Sequence, residues 1–248
     1  MSPGTSGLLS IVVDIEGTTT PIAFVHRTLF PYARNKLPQY LQLCGRAPEC
    51  QGIFDRLRQE HDADAQGGLD VPDWSDDTIA ARHGSIERYV AWLMDRDRKS
   101  TPLKDLQGRI WEEGYRTGEL VGEVFDDVEP AFRQWHEHGI GIGIFSSGSV
   151  LAQKLLFRHS SAGDLTRFVR WHFDTTIGPK TTVDSYGRIV SIVDVPPAAI
   201  LFISDSIREL DAAHAVGLRT ALSLRPGNAP TADAHGHPTI RRFDELTI

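Results

Sequence analysis

After about residue 126, strand-like and helix-like segments alternate regularly along the sequence. Short apolar runs such as "IGIGIF" and "AAILFIS" are followed by segments whose apolar residues lie three or four positions apart, such as "VLAQKLLFRHS" and "IRELDAAHAVG". This alternation predicts a parallel sheet with helices on both faces. Residues 8–14, "LLSIVVD", are apolar on both faces of a strand, and we assign them to the same sheet as a buried strand.

The stretch between this first strand and residue 126 shows a different sequence pattern. Segments such as "SIERYVAWLMDRDRK" and "LKDLQGRIWEEGYRTGEL" show helical periodicity, and strand signals are few. We therefore predict an α/β fold with a doubly wound parallel sheet, formed by residues 1–20 and 122–248. A mostly helical cap, residues 21–121, is inserted after the first strand.

Composition and charge argue against several classes of protein. The 248 residues are 40% hydrophobic and 24% charged, as in ordinary globular proteins. A net charge of −7 argues against nucleic-acid binding, which needs a basic excess. No apolar run reaches the roughly 18 residues of a membrane span, and no basic leader precedes the first strand. With only Cys44 and Cys50 present, we expect a cytoplasmic protein, and the lack of long apolar heptads favours a monomer.

Polar residues follow several strands of the predicted sheet. In open parallel sheets, ligands bind at the carboxyl ends of the strands, so these residues are expected to converge. The first strand, a middle strand and a later strand each end in such groups, and a lysine lies in the loop before the later strand. The candidates are Asp14 and Glu16, Ser146 and Ser147, Ser204 and Asp205, and Lys180, with Glu209 one turn beyond Asp205.

These residue types suit phosphoryl transfer. Carboxylate oxygens are ligands that Mg²⁺ accepts, and Asp14 could attack phosphorus to form an acyl phosphate. Mg²⁺ and Lys180 would neutralise the phosphate charge that opposes this attack. Ser146 and Ser147 offer hydroxyl and backbone N–H donors at the start of a helix. Glu16 is placed to protonate the leaving oxygen and later to take a proton from water.

Each of these features also has an ordinary explanation. Asp14 could cap a turn, "SSGS" could simply start a helix, and Lys180 could be a surface lysine. "SDSIREL" could be a capped helix with an acidic first turn. The functional interpretation depends on the fact that all of them occur in order, at strand ends or in the adjoining loop.

The same segments resemble a known family. "DIEGTT", "SSGS", the loop lysine and "SDSIRE" are similar to the four motifs of the haloacid dehalogenase-like (HAD-like) phosphohydrolases, which have a Rossmann-type core. The longer stretches "DIEGTTTPIAFVHRTLFPYA", "FSSGSVLAQKLLFRHSSAGDL", "HFDTTIGPKTTVDSY", "LFISDSIRELDAAHAVGL" and "RPGN" resemble the enolase-phosphatases of methionine salvage, also called acireductone synthases. These stretches span nearly the whole predicted core. Glu16 stands where the wider superfamily has a second Asp.

The resemblance implies an enzyme that enolises 2,3-diketo-5-methylthiopentyl-1-phosphate and then removes its phosphate through an aspartyl-phosphate. By position, Asp14 would be the nucleophile, Glu16 the acid/base, and Lys180 the bridge between phosphate and nucleophile. Ser146 and Ser147 would hold the phosphate. One Mg²⁺ per subunit would be bound by Asp14, Asp205 and Glu16, the last through its backbone carbonyl.

Some alternatives remain open on the sequence. The chain could be a HAD-like phosphatase for another small phosphorylated metabolite, or a non-catalytic protein that binds a phosphorylated ligand. Glu209 could hold waters of the Mg²⁺ or cap a helix, and an indirect role is favoured. Four aromatic residues could line a pocket for the methylthio tail or belong to the interior of the insert: Phe24, Phe30, Tyr89 and Trp92.

Overall fold

The computed structural model of the protein describes residues 7–44, 47–230 and 233–246. Packing divides the chain into two compact units, one formed by Met1–Arg27 and Gly118–Ile248 and the other by Thr28–Thr117. The change in sequence periodicity predicts the insert to span residues 21–121. We call the two parts the core unit and the insert unit.

The core unit contains a six-stranded sheet whose neighbouring strands all run parallel. The strands are β1 (Ser10–Val13), β2 (Gly141–Phe145), β3 (Val169–Phe173), β4 (Ile200–Ser204), β5 (Arg219–Ser223) and β6 (Thr239–Ile240). Their order across the sheet is β3-β2-β1-β4-β5-β6, so β1 pairs with β2 on one side and β4 on the other. The predicted parallel α/β fold, with a helical insert after the first strand, is confirmed.

Helices fill the insert unit and connect the strands of the core unit. They are α1 (Ile22–Phe24), α2 (Phe30–Cys44), α3 (Pro48–Gln66), α4 (Ile79–Asp95), α5 (Thr101–Arg116), α6 (Val128–Glu137), α7 (Val150–Arg158), α8 (Val183–Val193) and α9 (Ile207–Ala215). Local sequence explains several of their ends. Ser149 caps α7 by accepting a hydrogen bond from the N–H of Ala152. Gly139 and Gly217 follow α6 and α9 with φ of +75° and +95°, a conformation that suits glycine.

Apolar packing holds the sheet in place. All four residues of β1 are buried, and Val12 belongs to a cluster that also contains residues of β2, β4, α8 and α9. In this cluster the ring centroid of Tyr186 lies 5.6 Å from that of Phe145 and 5.1 Å from that of Phe202. Close-packed interiors deform little, so the ends of these strands hold the side chains that follow them in defined positions.

A buried ion pair ties the segment after β5 to the start of α6. The side chains of Arg225 and Asp127 are 3% and 2% exposed, and each of two N–O pairs between them is 2.9 Å apart. Asp127 also accepts a hydrogen bond from the N–H of Phe243, and Arg225 donates to the carbonyl of Arg241. The C-terminal segment that these bonds reach contains β6 and a 3₁₀ turn at Phe243–Glu245.

The insert unit has its own apolar interior. Tyr89 and Trp92 of α4 stack with centroids 5.7 Å apart, and their polar atoms donate to Asp64 and to the carbonyl of Asp70. Both residues are buried there, which agrees with the alternative that they belong to the interior of the insert. Within the described residues, no helix combines the length and the apolar character needed to cross a membrane.

We expect the Asp127→Ala variant to lose about 3–5 kcal/mol of unfolding free energy, because the guanidinium of Arg225 would remain buried without its partner. The matched control is Asp126→Ala. Asp126 is 80% exposed and pairs with Arg242 at the surface, so its loss should cost less than about 1 kcal/mol. Urea denaturation of both variants measures the difference, and equal losses would contradict the structural role assigned to the buried pair.

Candidate active site

Asp14 lies directly beyond the central strand, at the start of a tight loop. Its side chain is buried, and its backbone N–H donates to the carbonyl of Ile203 in β4. The N–H groups of Thr18, Thr19 and Thr20 all donate to the carbonyl of Ile15, at 2.9–3.2 Å. The hydroxyl of Thr19 donates to the carbonyl of Asp14. The threonines that follow Asp14 in the sequence therefore help to close the loop that presents it.

Lys180 reaches Asp14 from the loop between β3 and α8. Its Nζ lies 2.6 Å from Asp14 Oδ1 and 2.7 Å from Glu209 Oε2, and its side chain is only 6% exposed. The hydroxyl of Tyr186 donates to the carbonyl of Lys180 and so fixes the backbone of this loop. Nζ also lies 5.7 Å from the ring centroid of Phe145, the last residue of β2. The ends of β1 and β2, the lysine loop and the first turn of α9 therefore meet.

Glu209 contacts the lysine. Besides its ion pair with Lys180, Glu209 accepts a hydrogen bond from the hydroxyl of Ser204 at 2.9 Å. Burial and the charge of Asp14 raise the pKa of Glu209 to about 7, although Lys180 opposes this. Burial alone would lower the pKa of Lys180, but the charges of Asp14 and Glu209 outweigh it and hold that pKa above its usual value.

Asp205 follows β4 and lies against the Asp14 loop. Gly17 has a φ of +68°, and a Cβ on it would approach Asp205 Oδ2 more closely than any real Cβ contact. Only a glycine fits this approach. Burial and then the charge of Asp14 raise the pKa of Asp205 to about 6, with a smaller contribution from Glu16. Glu16 is half-buried, and its backbone forms an isolated β-bridge with that of Thr20 across the loop.

Ser146 and Ser147 begin the turn that leads from β2 into α7. Ser146 is buried, its N–H donates to the carbonyl of Phe173, and its hydroxyl accepts a hydrogen bond from the N–H of Gly148. Ser147 is exposed. The turn ends at Ser149, the cap of α7, so both serines lie at the N-terminus of a helix, where backbone N–H groups favour an anion.

Three residues that the sequence analysis did not assign to the site donate hydrogen bonds to the carbonyls of this loop. Asn228 Nδ2 and Ser223 Oγ donate to the carbonyl of Gly17, at 2.9 and 3.1 Å. Arg225 Nε donates to the carbonyl of Thr18 at 3.0 Å. Ser223 ends β5, and the other two follow it. Their signal was available, because the segment "SLRPGN" is also the polar end of a strand.

The donor set suits a small hard cation. Asp14 and Asp205 supply carboxylate oxygens and the loop supplies backbone carbonyls, a combination typical of Mg²⁺, which keeps several waters. Among the described residues, no three His, Cys, Asp or Glu side chains are grouped so that they could hold a metal ion by themselves, so backbone carbonyls, waters or a substrate would have to supply the other ligands. Burial first, and then the charge of Asp14, raise the pKa of Asp205, while Lys180 lowers it. The residues present therefore fit a bound divalent cation.

We expect Asp205→Asn to stabilise the protein against unfolding in chelator-treated buffer. Because the folded state raises the pKa of Asp205 from 3.8 to about 6, the wild type loses stability as pH rises through that window. The gain, on the order of 1 kcal/mol since the group is partly solvated, should be largest above pH 6 and shrink towards pH 4. Urea denaturation at several pH values measures it. A gain independent of pH, or an equal gain in Asp126→Asn, would contradict this explanation.

Comparisons with known proteins agree with this geometry. The family model of the haloacid dehalogenase-like hydrolases matches residues 10–217. An enolase-phosphatase E1 of Synechococcus elongatus is 50% identical over 240 residues, which cover 96% of this chain and 98% of the relative.

Two solved structures extend the comparison. The crystal structure of the UTR4 protein of Saccharomyces cerevisiae is 33% identical, with a TM-score of 0.78, and the match covers 96% of this chain and 100% of that one. A HAD phosphatase from Thermococcus onnurineus, 17% identical with a TM-score of 0.56, covers 96% of this chain and 95% of its own, and shares the fold. The chain belongs to the haloacid dehalogenase-like hydrolases and, among them, to the enolase-phosphatase E1 family.

Proposed function

We propose that the protein is a Mg²⁺-dependent enolase-phosphatase of methionine salvage. It would convert 2,3-diketo-5-methylthiopentyl-1-phosphate to the acireductone 1,2-dihydroxy-3-keto-5-methylthiopentene and phosphate. The observation that carries the phosphatase assignment is the contact between Lys180 Nζ and Asp14 Oδ1 in a buried site. The full-length similarity to the Synechococcus elongatus enzyme supports the choice of substrate.

In the phosphatase step, an oxygen of Asp14 attacks phosphorus and the bond from phosphorus to the ester oxygen breaks. Glu16 gives its proton to that ester oxygen, so the acireductone leaves neutral at this atom. Lys180 spans the nucleophile and the phosphate oxygens, and the turn at Ser146 and Ser147 holds the remaining oxygens. Glu16 then takes a proton from the water that attacks the aspartyl-phosphate, which releases phosphate and restores Asp14.

The cation has a defined place in this proposal. Asp14, Asp205 and the backbone carbonyl of Glu16 would hold one Mg²⁺ per subunit. When bound, it supplies Lewis-acid stabilisation of negative charge on the phosphate and on the enolate oxygen. Glu209 does not need to contact it, because its carboxylate is engaged by Lys180 and Ser204 and keeps the ammonium group aimed at Asp14.

Enolisation requires a proton to leave the carbon that carries the phosphate ester and a proton to reach the neighbouring carbonyl oxygen. We assign this transfer to Glu16, whose side chain is one methylene longer than the Asp of the wider superfamily. The extra length lets one carboxyl group reach carbon as well as the leaving oxygen. Its half-buried position keeps it accessible to a substrate.

We further propose that the enzyme is a cytoplasmic monomer that acts on this small phosphorylated diketone and has no nucleic-acid or membrane partner. The negative net charge supports the absence of a nucleic-acid surface. Cys44 and Cys50 are both free thiols, which agrees with a reducing compartment.

The proposed activity is tested by following phosphate release and acireductone absorbance together on the diketone phosphate. The wild type should produce both in equal amounts when Mg²⁺ is added. Asp14→Asn should lose phosphate release by about 10³-fold or more, because an amide cannot act as the nucleophile. Phosphate release by the wild type from other small esters, without acireductone formation, would identify a different phosphatase.

Glu16→Gln should impair both half-reactions, by about 10²-fold or more each, because the same carboxyl group moves both protons. Enolisation is measured separately as exchange of the carbon-bound hydrogen with deuterated water, observed by NMR, and phosphate release is measured as before. The Asp14→Asn variant is the matched control: at saturating Mg²⁺ its amide oxygen can still serve as a ligand, so it should retain exchange while phosphate release falls as above. If Glu16→Gln exchanged hydrogen at the wild-type rate, another residue would be the enolisation base.

A further inference from the structure

The segment after β5 places an unpaired acceptor beside the candidate cation site. Asn228 Oδ1 is shielded from solvent and accepts no hydrogen bond from any residue that the structure describes. Buried amide oxygens nearly always have a hydrogen-bond partner, because losing their hydration without compensation is costly. Because no described residue supplies this donor, a bound water is the simplest candidate for it.

The orientation of this amide is determined by its nitrogen. Asn228 Nδ2 donates one hydrogen bond to the carbonyl of Gly17 at 2.9 Å and another to the carbonyl of Ser223 at 3.1 Å. If the amide were flipped, its oxygen would face two carbonyl oxygens and repel both. Both protons of Nδ2 are thus used, and Oδ1 points away from these carbonyls.

Oδ1 faces the same position as a carboxylate oxygen of Asp205. It lies 2.8 Å from the point where a Cβ on Gly17 would be, and Asp205 Oδ2 lies closer still to that point. The two oxygens are therefore at most about 5.2 Å apart, close enough for one water to contact both. Both oxygens are acceptors, so a water between them would donate one hydrogen bond to each.

Asn228 also holds the loop that carries the proposed ligands. The N–H of Gly17 donates to the carbonyl of Thr20 at 2.8 Å, which sets the peptide group that contains the carbonyl of Glu16. The next peptide group is set by Asn228 and Ser223 at the carbonyl of Gly17. With both peptide groups of Gly17 fixed, the carbonyl of Glu16 has one orientation.

We propose that Asn228 is a positioning residue of the magnesium site. Its Oδ1 accepts a hydrogen bond from a water bound to the cation at Asp14 and Asp205, and its Nδ2 keeps the Gly17 peptide in place. This inference rests on the proposed Mg²⁺ dependence and extends it to a residue outside the ligand set. Hydrogen bonds to metal-bound groups typically change metal affinity by about 10–100-fold.

The test is Mg²⁺ binding to metal-free protein by titration calorimetry, without substrate. Asn228→Ala should bind Mg²⁺ about 10-fold more weakly or worse. Ser223→Ala is the matched control, because it removes the other donor to the Gly17 carbonyl and leaves Oδ1 unchanged. It should weaken binding by less than about 3-fold. In turnover, Asn228→Ala should need more Mg²⁺ for half-maximal rate, with KM for the substrate nearly unchanged. Equal Mg²⁺ affinities of the two variants would overturn the proposal.

A measurement on the wild type covers the case in which Asn228→Ala does not fold. The Asn228 side-chain amide signals in the NMR spectrum should shift as Mg²⁺ is added, with the dissociation constant found by calorimetry. Unchanged signals at saturating Mg²⁺ would refute the inference. A wild type that makes no acireductone, yet shows this shift and the predicted order of affinities, would refute the proposed substrate and support the role of Asn228.

Discussion

The buried ammonium group of Lys180 holds together carboxylates that would otherwise repel each other. It contacts Asp14 and Glu209, while Asp205 lies nearby with a pKa raised to about 6. Taking these charges out of water costs several kcal/mol per ion, and a single ammonium offsets only part of it. The surplus of negative charge destabilises the site without a cation. A bound divalent cation, as in the proposed magnesium site, would offset this surplus.

A second set of contacts, hydrogen bonds to the carbonyls of the Asp14 loop, keeps this loop in one conformation and so keeps the charged groups in place. Ser223, Arg225 and Asn228 hold two successive carbonyls of the loop, and Arg225 is itself anchored by Asp127. These hydrogen bonds join residues about two hundred positions apart in sequence. The C-terminal segment of the core unit is therefore part of the support of the site.

The sheet and the strand-end residues could be predicted because both follow from local patterns. Apolar runs identify strands, and parallel pairing brings their carboxyl ends to one edge. Burial of single polar residues could not be predicted, since Asp126 and Asp127 are neighbours with the same local context but are 80% and 2% exposed. The role of Asn228 does not follow from the sequence pattern, because it depends on hydrogen bonds from its amide to the distant carbonyl of Gly17 and to that of Ser223. The pairing of Glu209 with Lys180 could not be predicted either, since it depends on how far the loop that carries Lys180 extends into the site.

The position of β1 has a consequence for how the protein is made on the ribosome. Ser10 pairs with Gly141 on one side and with Ile200 on the other, so the middle strand of the sheet is synthesised long before either neighbour. Its edges stay unpaired until most of the chain has emerged, and contacts of such long sequence separation form slowly. During translation the nascent core is consequently exposed to aggregation, and chaperone demand should concentrate on this early apolar segment.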